Sequence, residues 1–190
     1  MSVWTGAGKS TLLAKVEKSL KEIYNEQVCV ITEPVELFQS YKDCDLLELV
    51  YKDPKSNAYF VQDHIIESLH KYSLHHIGQG KASLFVTERS VYSPVIFTKT
   101  LFNLGYLQPH EKEKLLSFNA AAMRFGFQPA LGAHKLFYLN TPPEICFQQI
   151  AARKRKGEEN ISLEYLQELQ RQYDIYLDEF VKTNGKQSLR

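Results

Sequence analysis

Gly6-Ala7-Gly8-Lys9-Ser10-Thr11 sets two glycines, a lysine and two hydroxyl residues in six positions, and the helical run Leu12-Leu13-Ala14-Lys15 follows at once. That order suits a phosphate cradle. Glycines let backbone N–H groups approach phosphate oxygens, the lysine reaches the outer phosphates, and the first hydroxyl holds Mg²⁺. The N-terminus of the following helix favours an anion through its unpaired N–H groups and its dipole. The full P-loop pattern has a glycine five residues before Gly8, where this chain has Val3. The loop also lies so close to Met1 that no strand is expected before it.

Phosphoryl transfer needs three further parts: a metal site, cations for the transition-state charge, and an acceptor for the nucleophile's proton. Ser10 and Glu88 are candidate metal ligands. Arg89, Arg153 and Arg155 are candidates to neutralise developing charge. Glu33 is a candidate proton acceptor. Each residue has a plainer reading by itself. Carboxylates at strand ends often cap helices or pair at the surface, and the run Arg153-Lys154-Arg155-Lys156 suits a solvated face. Tyr51 and Gln62 suit an ordinary helix, His75 and His76 a surface. Tyr165, Tyr173, Tyr176 and Phe180 suit core packing. The joint order of the parts is what points to chemistry.

The elements that must position them alternate. Apolar spacing predicts helices over 10–24, 43–51, 58–77, 93–104, 110–123, 143–152 and 163–180, with breaks at Asp53-Pro54 and Gln108-Pro109 and an end at Gly78 and Gly80. Short β-branched or aromatic runs predict three buried strands, over 28–32, 83–87 and 135–139. Strands alternating with helices imply an α/β fold with a parallel sheet, in which ligands gather at the carboxyl ends of the strands. Glu33 and Glu88-Arg89 fall at that edge. A single domain over 1–182 is expected, with a lid at 153–160 and a frayed polar tail over 183–190.

Composition narrows the field. The 190 residues carry a formal net charge of +1, so no global basic field argues for nucleic acid. Three dispersed cysteines, Cys29, Cys44 and Cys146, make neither a disulfide framework nor a zinc site and imply an intracellular chain. No run approaches membrane-spanning length, and no signal peptide or Arg-rich transit segment is visible, which leaves cytoplasm and mitochondrion both open.

Five strings in order carry a family likeness: Gly-Ala-Gly-Lys-Ser-Thr (6–11), Glu-Pro-Val (33–35), Glu-Arg-Ser-Val-Tyr-Ser (88–93), Arg-Lys-Arg (153–155) and Ile-Ser-Leu-Glu-Tyr-Leu (161–166). With them the chain resembles the deoxynucleoside kinases over nearly its whole length. The resemblance implies a P-loop kinase-like three-layer α/β/α fold lacking its first and last strands, ATP and Mg²⁺ as cofactors, and 5′-phosphorylation of a deoxynucleoside. It also implies a homodimer through the helices near 58–77 and 93–104. By the same likeness Glu33 is the general base and Glu88 the metal-associated carboxylate. Arg89 lies near the 5′-oxygen, and Arg153 and Arg155 belong to the lid. Tyr51 and Glu158 hold the sugar 3′-hydroxyl, Gln62 pairs with the base edge, and Phe38 and Phe97 sandwich the base. Leu69 and Pro94 stand where deoxycytidine-type relatives carry an arginine and an aspartate, which leans the expected substrate toward thymidine or pyrimidines broadly. Two alternatives are a thymidylate-type kinase and a shortened, non-catalytic family member.

Overall fold

The computed structural model describes residues 6–79, 82–89, 92–126 and 136–184. Val3, Gly80, Ser90, Val91, Lys135 and the tail beyond Asn184 lie outside the described residues. From Gly8 the chain enters α1 (Lys9–Tyr24), passes a 3₁₀ turn (Asn25–Gln27), and forms β1 (Val28–Ile31). Helices α2 (Val35–Gln39), α3 (Leu46–Lys52) and α4 (Pro54–Gly78) lead to β2 (Leu84–Thr87). Then come α5 (Ser93–Asn103), α6 (Pro109–Gly126), α7 (Pro143–Arg153), a second 3₁₀ turn (Glu158–Asn160) and α8 (Leu163–Asn184).

Strands β1 and β2 run parallel, with Val28 opposite Leu84 and Ile31 opposite Thr87. The backbone N–H of Glu88 extends the ladder by donating to Ile31 O at 2.8 Å. Both strands therefore deliver their acidic residues to one edge, as a parallel α/β sheet should.

Three expectations change. The third strand has no ladder among the described residues: Leu136–Asn140 pairs with none of them, and Phe137 is 57% exposed. An apolar run reports a tendency to be covered, but a strand also needs a neighbour for its N–H and C=O groups, and none of the described residues supplies one. Strand β2 is only partly covered, with Leu84 exposed, whereas β1 is packed by α1 and α4. The prolines at 54 and 109 begin helices rather than merely breaking them. Asp53 caps α4 by accepting from Ser56 N at 3.3 Å, and Pro54 takes the first-turn position where its missing N–H costs nothing. Asp45 caps α3 in the same way, through Leu47 N and Glu48 N.

The main core lies among α4, α5, α6 and α8. Ile66, Ile96, Leu115, Leu166, Leu169 and Tyr173 are almost wholly buried there. Helix α5 is enclosed by α4, α6 and α8, so its apolar residues are used inside this chain, while α4 leaves Phe60 and Leu74 exposed. Tyr165 and Tyr173 pack in the core as expected. The last helix continues to Asn184, past the predicted end at Phe180. Among the described residues no helix is long and apolar enough to cross a membrane.

One glycine seats the predicted lid. Gly157 has φ +86°, and a Cβ there would come within 2.8 Å of Glu48 Cα and 2.9 Å of its backbone nitrogen. Neither neighbour is the flexible end of a side chain, so α3 would have to move. Gly157→Ala is expected to cost about 1–3 kcal/mol through backbone strain and the clash together, lowering the thermal midpoint by a few degrees. Gly78→Ala, where nothing lies within 4 Å, is the control and should leave the midpoint nearly unchanged. Equal midpoints for the two variants in circular-dichroism melts would refute this seating of the lid.

Candidate active site

The loop expected to cradle phosphate is built on two left-handed glycines. Gly6 and Gly8 both have left-handed φ, of +88° and +84°. At Gly6 a Cβ would meet Cys146 O at 2.7 Å, so the loop presses directly on α7. Thr141 Oγ1 donates to Ala7 O at 3.4 Å from the same side. Helix α1 starts at Lys9 with no side chain capping it, which leaves its first-turn N–H groups to an anion. Lys9 itself is only 6% exposed. Burial, with Arg89 nearby, brings its ammonium down to about 8 despite the opposing pull of Glu33 and Glu88. A phosphate beside it would favour its charged form.

A chain of hydrogen bonds runs from this loop into the strand edge. Ser10 Oγ donates to Glu88 Oε1 at 2.6 Å. The backbone N–H of Glu33 donates to Glu88 Oε2 at 3.1 Å. Arg89 Nε donates to Glu33 Oε1 at 2.5 Å, and the guanidinium lies 4.8 Å from the Phe97 ring centroid, a cation–π contact. Glu88 thus spends both oxygens, while Glu33 Oε2 carries no hydrogen bond among the described residues. Burial would raise the Glu33 carboxyl, but Arg89 and Lys9 outweigh it and hold the group below its usual value, ionised at neutral pH. Arg89 is held above its usual value in return: burial works against its charge, and Glu33 overrides it.

The lid residues form a second cluster. Arg153 grips Glu158 through two bonds, Nε to Oε2 at 2.6 Å and Nη2 to Oε1 at 2.5 Å. Arg155 Nη1 adds a longer one at 3.4 Å. Glu158 is 3% exposed. Lys156 pairs with Glu48 on α3 at 2.9 Å. Tyr51 stands near Glu158 and packs edge-on against Tyr165, the ring centroids 5.9 Å apart. Burial, and then the Glu158 charge, push Tyr51 up to about 12, so it stays neutral and keeps its proton to donate.

The charged residues of both clusters meet in one cavity of about 470 Å³. Lys9, Ser10, Glu33, Glu88 and Arg89 line it, as do Arg153, Arg155 and Glu158. Of the residues expected to hold the nucleoside, Phe38, Tyr51, Gln62 and Phe97 line it too, together with Leu69 and Pro94. Gly6, Ala7, Gly8 and Thr11 are outside the lining; the first two are buried beneath the loop, and the last two are exposed. Tyr165 lines the cavity as well, where sequence reasoning saw only core packing. Its one signal was its place in the Leu-Glu-Tyr-Leu string after the lid.

Hard oxygen ligands suit Mg²⁺, which is commonly held by one or two carboxylates and substrate phosphates. Ser10 Oγ and Glu88 meet that description and already touch each other. Among the described residues no group of three or more His, Cys, Asp and Glu side chains stands ready to hold a metal ion alone. The donor set therefore fits a cation that arrives with phosphate oxygens.

A family model for deoxynucleoside kinases matches residues 4–187. The chain belongs to the deoxynucleoside kinase family. It is an enzyme of that class, a phosphotransferase. Deoxycytidine kinase 2 of Gallus gallus is 30% identical over 193 residues, covering 91% of this chain and 71% of that protein. The mitochondrial deoxyguanosine kinase of Xenopus laevis is 28% identical over 188 residues, covering 90% and 69%. The deoxyadenosine kinase of M. mycoides, solved with bound dCTP, superposes with a TM-score of 0.74 at 22% identity, covering 94% of this chain and 82% of that one, and shares the fold. These kinases are named for three different bases, so kinship leaves the base open.

Proposed function

We propose that the protein moves the terminal phosphoryl group of ATP, bound with Mg²⁺, onto the 5′-hydroxyl of a deoxynucleoside, preferring thymidine and other pyrimidines. One observation carries the reading: the unbroken chain from Ser10 through Glu88 to Glu33, in one cavity with Lys9. It joins a phosphate-side hydroxyl to an ionised carboxylate that keeps one oxygen unengaged. In the proposed reaction the 5′-oxygen forms a bond to phosphorus as the bond to the ADP oxygen breaks, and Glu33 Oε2 takes the proton. Lys9, Arg89, Arg153 and Arg155 offset charge on the phosphates. Mg²⁺, when held by Ser10, Glu88 and the phosphates, supplies further neutralisation. Tyr51 donates to the sugar 3′-oxygen and Glu158 accepts from it, while Phe38 and Phe97 flank the base and Gln62 meets its edge.

The pyrimidine preference is supported by Leu69 and Pro94, which bring no charge to the cavity wall. The proposed assembly is a homodimer, supported by the apolar Phe60 and Leu74 that α4 leaves exposed. The test is direct. Purified protein with ATP and MgCl₂ should convert deoxynucleosides to 5′-monophosphates, thymidine fastest, as read by chromatography. A folded preparation that phosphorylates none of the four natural deoxynucleosides overturns the reaction. A purine as best substrate overturns only the base preference.

A further inference from the structure

Gln62 sits on α4 with only 4% of its surface exposed, and its amide is tied to α5. Nε2 donates to Pro94 O at 3.1 Å and to Thr98 Oγ1 at 3.3 Å. The first bond decides which way the amide points. A proline carbonyl only accepts, so the nitrogen must face it, and rotating the amide would set two acceptors against each other. The second bond occupies the nitrogen further. Thr98 is completely buried, so its hydroxyl has no solvent to turn to. What remains for a ligand is Oε1, an acceptor with no hydrogen bond among the described residues.

We infer that Thr98, with the Pro94 carbonyl, fixes the Gln62 amide so that its oxygen meets the nucleobase, which makes Thr98 a specificity-determining positioning residue. The inference rests on reading the cavity as the nucleoside site. An acceptor at the base edge favours a base whose ring nitrogen carries hydrogen there. Thymine and uracil offer N3–H, and guanine offers N1–H. Cytosine presents a bare N3 and adenine a bare N1, each a lone pair facing a lone pair. Either must slide along the edge to offer its amino hydrogen instead. Ile65, Leu69, Phe97 and Leu101, which also line the cavity, offer that slide no hydrogen-bond partner.

The test compares kcat/KM for thymidine and deoxycytidine, which differ little in size, in wild type, Thr98→Val and Thr98→Ser. Wild type should favour thymidine. Thr98→Val keeps the shape, removes the acceptor, and leaves the amide held by one bond instead of two. The ratio should then shift toward deoxycytidine by about 3- to 10-fold, the worth of one hydrogen bond. Thr98→Ser restores the acceptor and should keep the wild-type ratio. Equal losses for both nucleosides in Thr98→Val, which a merely structural role predicts, overturn the inference. So does a wild-type preference for deoxycytidine, which needs no variant to read and leaves the proposed reaction standing. Absence of phosphorylation with any nucleoside overturns the reaction and the inference together, so the two failures are told apart.

Discussion

Replacing Glu33 with Gln is expected to lower kcat by about 10²–10⁴-fold, the usual worth of a positioned general base, while ATP binding stays close to wild type. Glu33 lies at the opposite end of the hydrogen-bonded chain from Ser10. It touches Arg89 through Oε1 and Glu88 through its own N–H, and the Ser10 hydroxyl is bonded to Glu88. Gln keeps the shape and an oxygen for Arg89 but accepts no proton at neutral pH. The pairing with Arg89 holds the carboxyl below its usual value, so in wild type it is ionised across the neutral range, as the proposed role requires. Activity limited by this group should fall on acidification, below the ordinary carboxylate range, and be flat above it. Steady-state kinetics paired with calorimetric ATP titration reads both halves. Turnover within a few-fold of wild type removes Glu33 from the proposed role, and lost ATP binding makes it a donor-site residue instead.

The second large effect has opposite signs on activity and stability. Lys9→Met should lower kcat/KM by about 10²–10³-fold, the cost of removing one preorganised donor from the transferring phosphate. The same change should stabilise the ligand-free protein. Lys9 drops from an ordinary 10.5 to about 8 on folding, chiefly through burial. Its charged form is therefore a burden on the native state, on the order of 3 kcal/mol at pH 7. The folded protein binds fewer protons than the unfolded chain between about pH 8 and 10.5, so wild-type stability gained from this group rises with pH across that window. The advantage of Lys9→Met should be full below pH 8 and shrink toward pH 10.5. Urea unfolding of both proteins at pH 7 and pH 9.5 checks the sign. An advantage equal at the two values denies that burial of the charge is its source.

Much of the frame was legible because it is periodic. Helices α1, α4 and α8 repeat apolar residues at helical spacing, and β1 is a compact β-branched run ended by Glu33-Pro34. Helix α2 was not foreseen, since its five residues are too few to show a period. Pro54 and Pro109 were read as breaks, because a proline looks the same at a helix's end and in its first turn; Asp53 was the distinguishing sign. Leu136–Leu139 has the composition of a strand, but a ladder belongs to a pair of segments, and composition describes one. The site divides in the same way. Lys9, Glu33 and Glu88-Arg89 stood out because their neighbours in sequence form strings. Thr98 did not. Its inferred role rests on a contact with Gln62, thirty-six positions away, and a threonine inside an apolar helix has no other mark. Gly157, between charged residues, carries no mark in the sequence beyond its place in the expected lid, although its missing Cβ is what lets the segment rest on α3.

Glu88 closes the last rung between two strands and also stands where a cation would be held. Its carboxylate ties Ser10 to the backbone of Glu33, so a substitution there loosens the tip of β1 as well as removing a ligand. Measured losses at Ser10, Glu33 and Glu88 will therefore not add, and their shortfall in a double-mutant cycle is the energy of a shared joint. The proposed donor and acceptor halves of the site are hinged on a single side chain, and neither can be retuned without disturbing the aim of the other.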